Sequence, residues 1–170
     1  WDEPVAKEAC KKAYDLSRKY ETKSILSLSD SFCVDKWRSE IRDLTKVTDI
    51  IFGNEEEIMS LYDTNILSDA ISAAANEINL CIVTRGEKGS LIISSEGVEE
   101  TPAFMCDKVL DTTGAGDLYA AGFLYGLSNH LRLYECAQLG SFCASQVISL
   151  LGPRPSSNLA ELAKDEGLLV

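Results

Sequence analysis

The segment DTTGAGD, residues 111 to 117, sets two threonines, two glycines and two aspartates directly before the apolar run LYAAGFLYGL. Glycines at 114 and 116 permit backbone conformations with positive φ and remove side chains, so consecutive N–H groups can converge on an anion at a helix N-terminus. Asp117 falls in the first predicted turn, where its carboxylate can accept a proton from an attacking hydroxyl while the amides stabilise a transferring phosphoryl group. The segment therefore suggests phosphoryl transfer as a hypothesis.

The same residues also fit a structural interpretation. Gly114 and Gly116 can make a tight turn, and an acid at 117 favours the positive end of a helix dipole. No Gly-Lys-[Ser/Thr] follows, so the segment is not a Walker A loop, and it is not the G-x-G-x-x-G fingerprint. Spacing alone leaves both interpretations open, but it excludes these two nucleotide-binding classes.

Two further segments place polar residues beside predicted strands. In GNEEE, Asn54 is a good N-cap and the glutamates after it suit a first helical turn. Alternatively, Asn54 and Glu57 hold Mg²⁺ or its waters at the C-terminal end of a strand. Thr84, Gly86 and Gly89 fit hairpin chemistry, and they equally fit a turn against which a nucleotide lies.

Asp111 and Thr113 have two interpretations as well. They can supply carboxylate, hydroxyl and carbonyl oxygens to a hard cation, or they can cap and close the loop before GAGD. The residue types at these positions do not decide between the two.

The elements that must position these residues alternate along the chain. Strand-like runs at 24–29, 47–52 and 80–84 alternate with helix-like runs, which is typical of β-α-β units. The pattern predicts an α/β fold with a mostly parallel central sheet flanked by helices. The sequence LCIVTRGEKGSLIIS predicts a hairpin, and a weaker strand signal follows within 97–109. Helices are predicted over 4–20, 37–46, 55–62, 66–78, from 117 to 151 with a break near 130, and over 158–166.

Small and aromatic residues mark the predicted helix after GAGD. We expect the small ones to let this helix approach the sheet closely, and they are Ala120, Ala121, Gly122 and Gly126. We expect the aromatic ones to lie in or beside the core, and they are Tyr119, Phe123 and Tyr125.

The acidic composition argues against a nucleic-acid partner. Sixteen lysines and arginines stand against 27 aspartates and glutamates, a formal net charge of −11, whereas a phosphate backbone favours a basic stripe. A nucleotide stays compatible, because a helix N-terminus or Mg²⁺ supplies positive potential locally. No apolar run approaches the roughly 20 residues of a membrane span, and we see no signal segment. We expect a cytoplasmic protein with no nucleic-acid or membrane partner.

The length of 170 residues suits one domain, so we expect a single domain over 1–170. The chain opens at Trp1 and enters a predicted helix at once, which suggests N-terminal truncation. Its six cysteines include no C-x-x-C pair and its sole histidine is His130, so we expect reduced core thiols and no structural metal. Cys136 and Cys143 are spaced to share one helix face.

The order and separation of three motifs, NEEE after a strand, TRGEKGS in a hairpin and DTTGAGD before a small-residue helix, resemble the ribokinase-like, or PfkB, family of carbohydrate and nucleoside kinases. GPRPS (152–156) resembles the family's loop that closes the nucleotide site, and LSLSDSFCVDKWR is similar to members called adenosine kinase-like. The resemblance covers nearly the whole chain but only the C-terminal part of the family's usual length.

The resemblance implies an ATP- and Mg²⁺-dependent kinase that phosphorylates a hydroxymethyl group of a sugar or nucleoside, with K⁺ as a further expected cation. Asp117 is implied as catalytic base, with the amides of Gly114, Ala115 and Gly116 as anion hole. The remaining implied residues contact the metal ions or the nucleotide: Asn54 and Glu57 near Mg²⁺; Thr84, Gly86 and Gly89 at the ATP turn; Asp111, Thr113, Gly152 and Ser156 at the monovalent cation; Ser141, Ala144, Ser145 and Ile148 at the adenine.

One departure from the family bears on activity. The family's N-terminal half carries the acceptor-binding residues and a β lid that often mediates dimerisation, and the 170 residues contain no counterpart of it. We therefore keep an alternative function, a nucleotide-binding or regulatory module that lacks an acceptor site and is not catalytic alone. A third interpretation is an α/β scaffold in which the motifs are only caps and turns. A homodimer is an expectation for a full-length protein.

Overall fold

Helices and strands alternate through most of the chain. The structure is a computed structural model that describes residues 3–169, so Trp1 lies outside the described residues. A 3₁₀ turn covers Gly86–Lys88. The helices are α1 Pro4–Lys19, α2 Ser31–Lys36, α3 Arg38–Thr45, α4 Glu55–Leu61, α5 Leu67–Glu77, α6 Ala115–Ser128, α7 Leu133–Ile148 and α8 Leu159–Asp165; the strands are β1 Ile25–Ser27, β2 Ile50–Asn54, β3 Leu80–Thr84, β4 Ser90–Ser94 and β5 Gly97–Thr101.

The described residues divide into two compact units. The first contains the chain up to Thr84 together with Ile93–Val98. The second contains Arg85–Ile92 and the chain from Glu99 onward. Predicted site residues occur in both units.

The strands follow the sequence in the order β1-β2-β3-β4-β5. β1 pairs in parallel with β2, and β2 pairs in parallel with β3, with Asn54 opposite Thr84 at the C-terminal ends. Parallel strands are covered on both faces, so they favour uninterrupted apolar runs. Ile50, Ile51 and Phe52 in β2, with Cys81, Ile82 and Val83 in β3, are accordingly all buried. The predicted parallel sheet is confirmed.

Helix α2 was not predicted, because six residues are too few to express a helical period. It begins after Asp30, whose carboxylate accepts hydrogen bonds from the N–H groups of Phe32 (2.7 Å) and Cys33 (3.4 Å). Val34 is its buried residue. A capping side chain and one apolar anchor therefore account for this helix.

In the second unit, α6 and α7 pack against each other through small residues. A Cβ at Gly122 would lie 2.8 Å from both Cys143 Sγ and the Leu139 carbonyl oxygen, and one at Gly140 would lie 2.7 Å from the Tyr119 carbonyl oxygen. Cys136 and Cys143 lie on the α7 face that α6 covers. We predicted that Gly122 lets α6 approach the sheet, and this is wrong, because the element that it contacts closely is α7.

The remaining composition-based expectations have mixed outcomes. All six cysteines are free; Cys81, Cys136 and Cys143 are buried as predicted, whereas Cys10, Cys33 and Cys106 are only half-buried. Phe123 and Tyr119 are buried, but 48% of Tyr125 is exposed. None of the helices in residues 3–169 combines the length and the apolar character needed to cross a membrane.

Candidate functional site: the start of α6 and its neighbouring loops

Helix α6 begins directly after Gly114, which has a left-handed backbone conformation. Gly114 has φ +81° and ψ 1°, and no side chain of the described residues caps the helix. A Cβ at Gly114 would lie 2.7 Å from Cβ of Pro153, so glycine is required for space as well as for conformation. The Ala115 N–H donates to the Thr112 carbonyl oxygen at 3.1 Å. The N–H groups that follow, at the positive end of the helix dipole, make a site suited to an anion.

Gly114 and Gly116 differ in backbone conformation. Glycine permits positive φ at both positions of GAGD, but only Gly114 has it, and Gly116 lies within α6. A Cβ built at Gly116 would meet nothing within 4 Å. The backbone does not need glycine there; the missing side chain leaves open space at the helix start.

Asp117 lies in the first turn of α6 with its side chain exposed. A carboxylate at this position gains from the helix dipole, as the structural interpretation required. It also stands within one turn of the uncapped N–H groups, where a proton acceptor and an anion site would act together.

Asp111 joins two distant loops. One carboxylate oxygen accepts the Thr113 N–H at 2.9 Å and the other accepts the Gly152 N–H at 2.9 Å. Hydrogen bonding to Thr113, side chain and backbone, and to the backbone of Gly152 lowers the pKa of Asp111. The predicted cation-loop residues Asp111, Thr113 and Gly152 are thus brought together, and Ser156 lies exposed further along the second loop.

The predicted ATP-contacting turn follows β3. The Arg85 N–H donates to the Gly89 carbonyl oxygen at 2.8 Å, which closes the turn between β3 and β4. Gly86 has φ +58° and open space around it, whereas Gly89 has φ +84° and a Cβ there would lie 1.9 Å from the Thr101 carbonyl oxygen. The predicted hairpin is confirmed, and Gly89 is its sterically demanding position.

In the first unit, Asn54 and Glu57 form a capping box. The Glu57 N–H donates to Asn54 Oδ1 at 2.9 Å, and the Glu57 carboxylate accepts from the Asn54 N–H at 3.0 Å and from Asn54 Nδ2 at 2.8 Å. Burial raises the pKa of Glu57 and the Asn54 hydrogen bond opposes that rise. The capping interpretation of GNEEE is confirmed.

The same pair lies beside Thr84. Asn54 and Thr84 are register partners at the carboxyl ends of β2 and β3, which is where ligands bind in open α/β sheets. The Thr84 hydroxyl donates to the Gly53 carbonyl oxygen at 3.4 Å. The three predicted residues of this unit therefore form one polar group at a strand end.

The oxygens of Asn54 and Glu57 are of the type that Mg²⁺ prefers, and each retains unused acceptor capacity. No group of three or more His, Cys, Asp and Glu side chains within residues 3–169 could hold a metal ion. Mg²⁺ typically takes one or two protein oxygens together with waters and substrate phosphates, so Asn54 and Glu57 fit such an ion.

The predicted adenine-contacting residues lie on α7. Ser141 accepts the Phe104 N–H at 2.7 Å, and Ser145 is buried and donates to the Phe142 carbonyl oxygen at 2.7 Å. Ala144 is half-buried between them. The Ile148 carbonyl oxygen accepts the N–H groups of Leu110 and Asp111, at 2.8 and 3.3 Å, so α7 is tied to the loop before GAGD.

Sequence reasoning missed two features of this unit. Pro153 packs against Gly114, a contact that only the fold reveals. Tyr119, expected to be a core aromatic, also joins Ser90 and Thr101 through buried hydroxyls. The signal available in the sequence was a tyrosine, rather than phenylalanine, at a buried helical position.

The chain is similar to kinases in sequence and in structure. A nucleoside kinase from Methanocaldococcus jannaschii is 34% identical over 110 residues, which are 65% of this chain and 36% of that protein. The crystal structure of a probable sugar kinase from Rhizobium etli has a TM-score of 0.96 and 40% identity, over 99% of this chain and 52% of that one. The adenosine kinase structure from Sinorhizobium meliloti has a TM-score of 0.94 and 39% identity, over 98% of this chain and 51% of that one.

The chain spans about half of these two structures and about a third of the M. jannaschii protein. The similarity in structure confirms the predicted ribokinase-like α/β fold. A family model described as pfkB family carbohydrate kinase matches residues 2–159. This chain therefore belongs to the pfkB family of carbohydrate kinases.

Proposed function

We propose that the chain is the nucleotide-binding and catalytic lobe of a kinase that transfers the γ-phosphate of ATP to a hydroxymethyl group of a sugar or nucleoside. The observation that carries this proposal is the start of α6, where left-handed Gly114 precedes a first turn that no described side chain caps and that contains the exposed Asp117. Membership of the family and similarity to sugar and nucleoside kinases support the same reaction class.

Asp117 is the proposed general base. Its carboxylate accepts the proton of the acceptor hydroxyl, whose oxygen forms a bond to the γ-phosphorus as the bond from that phosphorus to ADP breaks. The backbone N–H groups of Gly114, Ala115 and Gly116 are the proposed anion hole for the transferring group. Since the Ala115 N–H already donates to Thr112, we assign the larger share to Gly114 and Gly116.

The other groups position the nucleotide and its cations. We assign Asn54 and Glu57 to Mg²⁺ and its waters; when bound, Mg²⁺ offsets charge on the phosphates. Thr84, Gly86 and Gly89 are assigned to the nucleotide, as are Ser141, Ala144 and Ser145. Asp111, Thr113, Gly152 and Ser156 are assigned to a monovalent-cation loop, for which K⁺ is the proposed ion. The acceptor, a cytoplasmic location and a homodimer of the longer protein are parts of this proposal that rest on the family.

The test compares three chains: wild type, Asp117→Asn and Asp165→Asn. Asp165 is an exposed carboxylate on α8 and serves as a matched control, since the same atoms change away from α6. ADP release from MgATP is measured with K⁺ against pooled sugars and nucleosides, and MgATP affinity is measured by calorimetry. We expect Asp117→Asn to lower turnover about 10²–10⁴-fold with affinity nearly unchanged, and Asp165→Asn to lower neither.

Each outcome has a distinct meaning. Comparable turnover in Asp117→Asn would exclude Asp117 as the base. MgATP binding with no acceptor-dependent turnover in the wild type would favour the nucleotide-binding module that lacks an acceptor site. Failure to bind any nucleotide would favour a scaffold in which the motifs are only caps and turns.

A further inference from the structure

Three hydroxyl groups meet in the interior of the second unit. Ser90 Oγ lies 2.6 Å from Thr101 Oγ1 and 2.7 Å from Tyr119 Oη. Ser90 and Thr101 are 0% exposed and Tyr119 is 4% exposed. They come from the consecutive strands β4 and β5 and from α6, which lies further along the chain.

Each hydroxyl proton in this group can find an acceptor in one arrangement. Thr101 donates to the Ser90 carbonyl oxygen at 3.4 Å, Ser90 donates to Thr101 Oγ1, and Tyr119 donates to Ser90 Oγ. In this arrangement the tyrosine is the outermost donor, and Ser90 and Thr101 are both partners of its hydroxyl. Burial raises the pKa of its hydroxyl to about 12, which keeps the proton on the oxygen.

Tyr119 is the buried residue of α6 nearest to its N-terminus, two positions after Asp117. Its ring stacks on Phe123 with centroids 6.5 Å apart, and its carbonyl oxygen lies against Gly140. The first turn of α6 lies on the N-terminal side of Tyr119. Its N-cap is the left-handed Gly114, which no side chain of the described residues replaces as a cap, and the turn contains Gly116. Its intrinsic helical stability is therefore low. The turn therefore depends on tertiary anchors close behind it.

Ser90 and Thr101 both lie beside the predicted ATP-contacting turn. Ser90 directly follows Gly89, and the Gly89 backbone packs against the Thr101 carbonyl oxygen. The hydrogen bond between Tyr119 and Ser90 therefore connects α6, which contains Asp117, to the end of the turn that contains Gly86 and Gly89. A phenylalanine would fill the same apolar space without this bond, and buried polar contacts of this kind fix one arrangement among several packings.

We propose that Tyr119 is a positioning residue for phosphoryl transfer, whose hydroxyl holds the first turn of α6 in register with the Gly86–Gly89 turn through Ser90 and Thr101. This inference rests on the proposed function. Tyr119 touches neither nucleotide nor acceptor in this role; it acts through the orientation of the Gly114–Gly116 amides and Asp117.

The test uses Tyr119→Phe, with Tyr125→Phe as the matched control. Both variants remove one phenolic oxygen from α6, but Tyr125 is half-exposed. Tyr119→Phe leaves no buried donor of the chain orphaned, since Ser90 still donates to Thr101 and Thr101 to the Ser90 carbonyl, so we expect the variant to fold. A second pair, Thr101→Val and Thr101→Ser, removes or retains the hydroxyl at the far end of the chain.

Two measurements distinguish positioning from general stability. Hydrogen exchange follows the Ala115 and Leu118 amides, which donate to the Thr112 and Gly114 carbonyl oxygens. Calorimetry follows MgATP affinity. We expect Tyr119→Phe to speed exchange at both amides about tenfold and to weaken MgATP binding by a similar factor, while α7 amides change less than twofold. Tyr125→Phe and Thr101→Ser should resemble the wild type, and Thr101→Val should resemble Tyr119→Phe.

Other outcomes overturn the inference. Faster exchange spread evenly over α6 and α7 would mean that the hydroxyl serves stability alone. Binding of MgATP by the wild type and equally by Tyr119→Phe would overturn the positioning role and leave the proposed function standing. No MgATP binding by the wild type would overturn both, whatever the exchange rates.

Discussion

Replacing Gly89 with alanine tests how strongly the turn between β3 and β4 is determined. Gly89 has φ +84° and ψ −133°, a region that residues with a Cβ avoid at a cost of about 1–3 kcal/mol. The added Cβ would also lie 1.9 Å from the Thr101 carbonyl oxygen and 2.7 Å from the Pro102 carbonyl carbon. Both partners are backbone, so the chain must move, and such overpacking costs typically about 1–3 kcal/mol more. Together these two costs predict a loss of about 2–6 kcal/mol in the free energy of unfolding.

Gly86→Ala is the matched control in the same turn. Gly86 has φ +58°, but a Cβ there would meet nothing within 4 Å, so only the conformational cost of about 1–2 kcal/mol applies. Urea unfolding followed by circular dichroism measures both variants against the wild type. A Gly89→Ala chain that does not fold beside a folded Gly86→Ala chain agrees with the steric reasoning. Equal losses in the two variants, within about 0.5 kcal/mol, would refute it.

Two further predictions concern the second unit. Gly122→Ala should lower the free energy of unfolding by about 2–3 kcal/mol, because its Cβ would lie 2.8 Å from Cys143 Sγ and the Leu139 carbonyl oxygen. Gly126→Ala, whose Cβ would have its nearest contact at 3.1 Å, should lower it less in the same urea titration. A larger loss for Gly126→Ala would contradict the packing described. Asp111 has a lowered pKa in the folded chain, so its contribution to stability is present above the unfolded pKa of about 3.9 and is lost as pH falls through the lower folded value. The difference in free energy of unfolding between wild type and Asp111→Asn should therefore be constant from about pH 7 to 5 and decrease below about pH 4. A difference that stays unchanged in acid would mean that the Thr113 and Gly152 hydrogen bonds do not favour the carboxylate.

The sequence predicts those elements whose signals are local. The run at 80–84 is apolar up to Val83 and ends with Thr84 before a glycine-rich turn, and β3 has the same bounds. The predicted strand at 47–52 is displaced, because Thr48 closes the end of α3 by donating through its N–H and its hydroxyl to the Leu44 carbonyl oxygen. β2 instead extends to Asn54, where pairing with Thr84 overrides the weak strand preference of glycine and asparagine.

Some features of the candidate site follow from local sequence, and others depend on the fold. The left-handed Gly114 and the capping box of Asn54 and Glu57 follow from neighbouring residues, so spacing could predict them. The hydrogen bond from Gly152 to Asp111 spans 41 positions, and no local pattern encodes it. The bond between Tyr119 and Ser90 spans 29 positions and depends on how α6 packs, so periodicity could predict burial of the tyrosine but not the partner of its hydroxyl.

The short connection between α6 and α7 has a consequence for folding kinetics. The two helices are joined by residues 129–132, so their contacts form between segments close in sequence, and the loop to be closed costs little entropy. β1, β2 and β3 pair in parallel, and each pairing waits for a helical crossover to form. We therefore expect the α6–α7 hairpin to be an early structure in refolding, with the parallel strands aligning later. A chain caught between the two steps would expose unpaired β-strands to other copies, so refolding yield should fall as protein concentration rises.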